Sequence, residues 1–237
     1  MRLVRHPLGW YAGKLTRGET FSLSRFGDGE LYCMLGKEGA NADGCDYRPD
    51  LADALVDSLC HDEPDYYYGL QRVYQHDADT LAHLLDVIEA PNREWLDSGV
   101  IAHSIIDGVF WPFLAALRGL ETVVVSNRDA RDLDRLGVLD YSHFVETPAR
   151  NCWSEARRIY RDVLDHGRPA CYLFSCGMTA CVLVSALHGK IPGAWFLDVG
   201  HIWDVFLGKR TRYYMAQMTG EQVARNLRPL GDGYAIP

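Results

Sequence analysis

Short apolar runs alternate with segments of helical periodicity along most of this chain. The runs Phe21 to Phe26, Tyr66 to Leu70, Val100 to His103, Thr122 to Ser126, His143 to Val145, Ala170 to Phe174 and Ala194 to Val199 read as buried strands. Between them, ADALVDSLC, DADTLAHLLDVIE, IDGVFWPFLAALRG and NCWSEARRIYRDVLDHG read as helices. In the last of these, Trp153, Ala156, Ile159, Tyr160, Val163 and Leu164 fall on one helical face, with Asn151 placed to cap its start and Gly167 its end. Strands that are apolar throughout and separated by helices predict a mostly parallel sheet covered on both faces, an α/β Rossmann-like architecture. The glycine- and aspartate-rich segment 36–49 reads as a mobile loop. The stretch 219–237 shows no clear period and is expected to wrap the surface or to order on binding.

Composition narrows this picture. The 237 residues are 48% apolar and 24% charged, enough to bury a substantial core, and they are expected to form one domain with its core at about 20–208 and a tail at 209–237. The net charge of -8 and the lack of any lysine or arginine run make duplex nucleic acid an unexpected partner. The N-terminal apolar run, in MRLVRHPLGWYAGKL, is too short and broken for a signal peptide, and no segment approaches the roughly 20 apolar residues of a spanning helix. Seven cysteines lie scattered through apolar segments without a CxxC pair or finger spacing. They read as reduced, mostly buried thiols of a cytoplasmic protein, with no structural zinc site expected from them.

Three segments carry candidate chemistry. In Ser24-Arg25-Phe26-Gly27-Asp28-Gly29-Glu30 a strand ends in a turn with two carboxylates one residue apart. At the carboxyl edge of an open α/β sheet, Asp28 and Glu30 suit a hard divalent ion completed by water and phosphate oxygens, with Gly27 and Gly29 allowing tight backbone geometry and Arg25 available to a phosphate. The same residues are also those of a plain turn, with Glu30 favoured by the dipole of the next helix. In YLFSCGMTACVLVSALHG a strand, a turn at Ser175 to Gly177 and an apolar helix read either as an ordinary strand-to-helix turn or as a phosphate cradle of free N–H groups, to which Ser175 and Thr179 could add hydroxyls. In WFLDVGHIWDVFLG a strand closes on Asp198, which needs a defined partner if buried, and is followed by His201 and Asp204, which read as a general base and its orienter, as groups that position a sugar, or equally, for His201, as a histidine satisfying a backbone carbonyl near the strand end. Aromatic residues near this edge, Tyr66, Tyr67, Tyr68, Trp111, Trp153 and above all Trp203, are candidates for stacking on a sugar, and EPDYYYGLQRVY for an acceptor-side loop.

In this order and at these separations the segments resemble the GT-D-type glycosyltransferases, a family formerly known as a domain of unknown function in bacterial adhesin glycosylation loci. Arg25-Phe26-Gly27-Asp28-Gly29-Glu30 matches its R-[FY]-G-D-G-E segment, Ser175-Cys176-Gly177-Met178-Thr179-Ala180 loosely matches S-L-G-P-T-A, and Asp198-Val199-Gly200-His201 matches D-[IV]-G-H. The resemblance spans roughly 20 to 208. It implies a metal-dependent transferase using a nucleotide-sugar, commonly a UDP-sugar, with Mn²⁺ or Mg²⁺ held by Asp28 and Glu30. Ser175, Gly177 and Thr179 would lie near the diphosphate, and a glycan or glycoprotein would be the acceptor. The residues alone leave open a metal-dependent phosphoesterase and a non-catalytic nucleotide-binding module.

Overall fold

Alternation of side chains along the strands divides the interior into two cores, one on each face of a single sheet. A computed structural model describes residues 2–71, 86 and 94–228. Its strands are β1 (Arg2–Val4), β2 (Ser22–Phe26), β3 (Tyr66–Leu70), β4 (Glu94–Asp97), β5 (Thr122–Ser126), β6 (His143–Glu146), β7 (Cys171–Ser175) and β8 (Trp195–Asp198). They lie in the order β1-β4-β3-β2-β8-β7-β5-β6, and every pairing is parallel. Val123 and Val125 of β5 face one core and Val124 the other, as Tyr172 and Phe174 of β7 oppose Cys171 and Leu173. Helices α1 (Leu8–Thr16), α4 (Gly99–Asp107) and α5 (Trp111–Leu117) cover the Val124 face. Helices α2 (Asp28–Met34), α3 (Pro49–Asp57), α6 (Ala156–His166) and α7 (Thr179–Leu187) cover the other. The doubly covered parallel sheet expected from the sequence is the observed architecture.

Several elements differ from expectation, each for a physical reason. The apolar run at Val100 to His103 belongs to α4, and the strand beside it is Glu94–Asp97. A short apolar run buried against a sheet reads alike as helix or strand. The helix expected over 106–119 breaks at Gly108, whose φ of 69° ends α4 before α5 begins. Segment 36–49 is a hydrogen-bonded loop in which Asn41 Oδ1 accepts from the N–H groups of Asp43 and Cys45, each at 3.0 Å, and Ala40 bridges to Asp46. Asn151 does not cap a helix with its side chain: it adopts φ 52° and bonds the Asp46 backbone and carboxylate instead, at 2.8 and 2.9 Å. Gly167 ends α6 with φ 60°, as the sequence predicts.

The expected helix DADTLAHLLDVIE and the residues beyond 228 lie outside the described residues. Within 209–228, after a short helix α8 (Tyr213–Ala216), the stretch read as aperiodic forms helix α9 (Gly220–Leu227), started by reciprocal bonds between Thr219 and Gln222. Asn226 docks it, donating to the Ile105 carbonyl at 2.6 Å and accepting from Trp111 Nε1 through its own carbonyl at 2.8 Å. All seven cysteines are unpaired thiols, and all but Cys60 are buried. No single described helix is long and apolar enough to cross a membrane.

The strand order places the chemistry. The chain leaves β2 outward through β3 and returns through β7 to β8 from the opposite side, so the order reverses between β2 and β8. Crevices for ligands open at the carboxyl ends of strands at such a reversal. All three segments singled out in the sequence end there.

Candidate active site

The first carboxylate pair straddles the start of α2. Gly27 is extended, with φ -112°, and α2 begins at Asp28, leaving that side chain exposed at the positive end of a short helix. Glu30 turns back, and its Oε2 accepts from the Gly27 N–H at 2.8 Å. Burial pushes the Glu30 carboxyl up to about 7; Asp198 adds to this, while the Gly27 bond and Arg25 oppose it. The two glycines serve close approach, not unusual dihedrals. A Cβ on Gly27 would lie 3.1 Å from the Gln71 side chain, and one on Gly29 would lie 3.1 Å from Asn41 and 3.7 Å from Met178. The 36–49 loop and the Met178 turn thus close directly on the first turn of α2.

At the end of β8, Asp198 is 5% exposed. Its Oδ1 accepts from the Gly200 N–H at 2.9 Å and its Oδ2 lies 3.9 Å from Arg25 Nε, which are the partners that a buried strand-end carboxylate requires. Burial still pushes its carboxyl up to about 6 against the pull of Arg25. Arg25, expected at a phosphate, is 7% exposed and packs on the Val199–Gly200 turn, donating from Nη1 to the Val199 carbonyl at 3.3 Å. Gly200 has φ 60°, and a Cβ there would meet Arg25 Nη2 at 2.5 Å. Glycine is required on both counts.

His201 pairs with Tyr214, Nε2 to hydroxyl at 2.9 Å. The structure does not make Asp204 its orienter: the residues after Gly200 form turns, not a continuous helix, and the Asp204 carboxylate accepts from the Thr211 hydroxyl. Burial, reinforced by Arg212 and Arg25, drives the His201 pKa well below its usual value and keeps the imidazole neutral. Burial also pushes the Tyr214 hydroxyl up to about 12.

A cleft of about 420 Å³ opens beside these groups, floored by the turns after β5, β7 and β8 and walled by the 36–49 loop and Arg150. Ser175, Gly177, His201, Trp203 and Asp204 line it. Gly177 has φ 61°, and no side chain caps the start of α7; the Ala180 N–H bonds the Gly177 carbonyl at 2.9 Å, and the N–H groups just before it are left to water or a ligand. Ser175 Oγ and Trp203 Nε1 are buried with no hydrogen-bond partner among the described residues. Such orphaned donors point to a polar ligand. Thr179, expected to offer its hydroxyl, is 2% exposed and packs in the interior instead. A second cleft of about 160 Å³ lies on the other side of His201, lined by Arg25, Gln71, Ser98, His103, His201 and Tyr214. His201 therefore stands in the wall between two cavities.

Charges that the sequence did not single out rim the larger cleft. Arg212 grips Asp43 with both Nη atoms, at 2.5 and 2.6 Å, and Lys209 pairs with Asp129. Arg150 makes no ion pair among the described residues. Of the aromatic candidates, Trp203 lines the cleft. Tyr66 and Tyr68 are core, Tyr67 packs against Trp10 and Phe21, Trp111 against Phe206, and Trp153 donates to Asp50. The YYY run, read as part of an acceptor loop, is β3 itself.

Comparison with known proteins places this geometry. No family model matches the chain. It is 26% identical over 206 residues to a probable glycosyl transferase, Gly, of Streptococcus gordonii, covering 76% of this chain and 29% of that protein. It thus spans under a third of the length of that curated relative. Among solved structures, a glycosyltransferase (DUF1792) from Streptococcus sanguinis superposes with a TM-score of 0.65 at 23% identity, covering 86% of this chain and 83% of that one. A structure of domain of unknown function 1792, described as having a distinct glycosyltransferase fold, gives 0.64 at 21% identity, covering 86% and 79%. In fold, therefore, the chain is of the glycosyltransferase type that these DUF1792 structures represent, as the resemblance of its motifs to the GT-D type implies.

Proposed function

We propose that this chain is a metal-dependent glycosyltransferase that takes a sugar from a nucleotide-sugar, a UDP-sugar by the family resemblance, and passes it to a hydroxyl of a glycan or glycoprotein. The observation that carries the reading is the meeting, at the β2/β8 reversal, of the Asp28–Glu30 turn, the Arg25–Asp198 pair and a cleft with orphaned donors at the start of α7.

The residues fit a divalent cation by donor type. Carboxylate oxygens suit Mn²⁺ or Mg²⁺, and Glu30 and Asp198 repel each other in a buried setting that positive charge relieves. Asp28, Glu30 and Asp198 do not form a set of three ligand atoms within 4.8 Å. Asp28 and Glu30 would hold such an ion, with water at its remaining positions. When bound, such an ion supplies positive charge to the departing diphosphate. The N–H groups at Gly177 and the start of α7, with Ser175 Oγ, bind diphosphate oxygens, and Arg150 adds a cation at the mouth. Trp203 offers its Nε1–H to the donor. His201, kept neutral in the wall between the clefts, takes the proton of an acceptor hydroxyl arriving from the smaller one.

The experiment is a thermal-shift screen of UDP and UDP-sugars with and without Mn²⁺, followed by an assay of UDP release. UDP with Mn²⁺ is expected to raise the melting temperature, and UDP release is expected to need Mn²⁺ and to stop in EDTA. If no nucleotide or nucleotide-sugar shifts the transition under either condition, the reading fails. Release of UMP and sugar 1-phosphate at the same rate with and without every acceptor would instead favour a phosphoesterase. Arg150→Ala is expected to weaken UDP binding about tenfold by calorimetry, the usual worth of one charge-assisted contact.

A further inference from the structure

His61, Glu63 and His188 bring three ligand-type atoms within 4.8 Å of one another at the amino-terminal edge of the sheet, opposite the clefts. His61 and Glu63 belong to the loop between α3 and β3, and His188 follows the last residue of α7. His61 Nε2 lies 3.1 Å from the Ser185 carbonyl and 2.9 Å from Ser185 Oγ, which holds the ring in place. Its other nitrogen, Nδ1, lies 3.1 Å from Glu63 Oε2, so an imidazole nitrogen and a carboxylate oxygen stand close enough to share one cation.

The surroundings suit a metal ion at this cluster. The ring of His188 stands 5.1 Å from that of His61 between centroids, at 79°. Its Nδ1 is 2.9 Å from Ser22 Oγ, and its Nε2 is 3.7 Å from Asp65 Oδ1, so a second carboxylate stands beside the group. Metal–nitrogen and metal–oxygen bonds of about 2.0–2.1 Å in a tetrahedron put neighbouring ligand atoms about 3.4 Å apart. The measured 3.1 and 3.7 Å lie on either side of that value. Each imidazole also has a second polar partner on its other nitrogen, Ser185 for His61 and Ser22 for His188, which is how metal-binding histidines are held in orientation.

We propose that His61, Glu63 and His188, with Asp65 as the adjacent carboxylate, form a binding site for a zinc-class divalent ion, separate from the carboxylate edge. Mixed imidazole and carboxylate donors select Zn²⁺ or Co²⁺ over Mg²⁺. The ion ties the loop before β3 to the end of α7, which are far apart in sequence.

Co²⁺ is the probe, added to the metal-stripped full chain. Wild type is expected to bind one ion with the visible absorption of four-coordinate cobalt, to lose the band when Zn²⁺ is added, and to melt higher with Zn²⁺. Glu63→Gln, at a surface position, and His188→Gln are each expected to weaken binding more than about tenfold. Asp28→Asn is expected to keep the band. Absence of the band in folded wild type, with no Zn²⁺ shift, overturns the proposal. Equal binding in Glu63→Gln and His188→Gln also overturns it, as does loss of the band in Asp28→Asn alone.

Discussion

Gly200→Ala is expected to lower the melting temperature by roughly 6–15 °C and to remove transfer activity. Two costs combine at this position. The left-handed φ of 60° costs a residue with a side chain about 1–2 kcal/mol. The new Cβ would also sit 2.5 Å from Arg25 Nη2, so the guanidinium has to leave its place. That group is confined between Asp198 Oδ2 and the Val199 carbonyl, and its displacement leaves a buried carboxylate with less compensation. The sum is about 3–4 kcal/mol, converted at roughly 2–4 °C per kcal/mol for a chain of this size. Gly189→Ala is the control: its φ is 70°, but nothing lies within 4 Å of a Cβ, so it carries the strain alone. If denaturant titration finds the two variants equally destabilised, Arg25 is not the strut inferred here.

Glu30→Gln is expected to stabilise the protein above pH 7 while reducing transfer by roughly a hundredfold or more. The Glu30 carboxyl ordinarily titrates near 4.5 but is raised to about 7 in the fold, so between those values the native state holds a proton that the unfolded chain releases. Stability from this group therefore falls as pH rises through that window and is fully lost above it. Glutamine keeps an oxygen for the Gly27 N–H and never ionises. The variant should gain about 3 kcal/mol over wild type at pH 8 and almost nothing at pH 4.5, by urea unfolding at each pH. Asp198, raised to about 6 by burial, changes in the same direction. Asp28→Asn, at an exposed position, is expected to lose activity with little change in stability at either pH. A gain for Glu30→Gln that is equal at both values would show that charge burial is not its cause.

The residues that reveal the fold in the sequence are those whose burial is two-sided. Val123 to Val125 and Tyr172 to Phe174 have no polar face, which only a covered parallel strand permits. The strand Glu94–Asp97 escapes the same reading because acids stand at both its ends, while the buried helix beside it supplies an equally apolar run. For the site, strand-end carboxylates and glycine turns were legible, since Asp198 and Glu30 make sense only at a sheet edge. The rim was not. Arg212 and Asp43 are 169 residues apart, and Lys209 and Asp129 are 80 apart, so neither pair leaves a local pattern. Tyr214 as the partner of His201 was missed for another reason: a closer acid, Asp204, offered a tidier spacing that the turns after Gly200 do not realise.

The contact between Arg25 and Val199 joins positions 174 residues apart along the chain. Closing so long a loop yields no reward until nearly all intervening strands have been laid down, which makes topologies of this kind slow to fold. A growing polypeptide emerging from the ribosome would hold the Asp28–Glu30 turn unmatched until β8 has emerged. The edge is thus completed late and all at once, when that strand slides in beside the second.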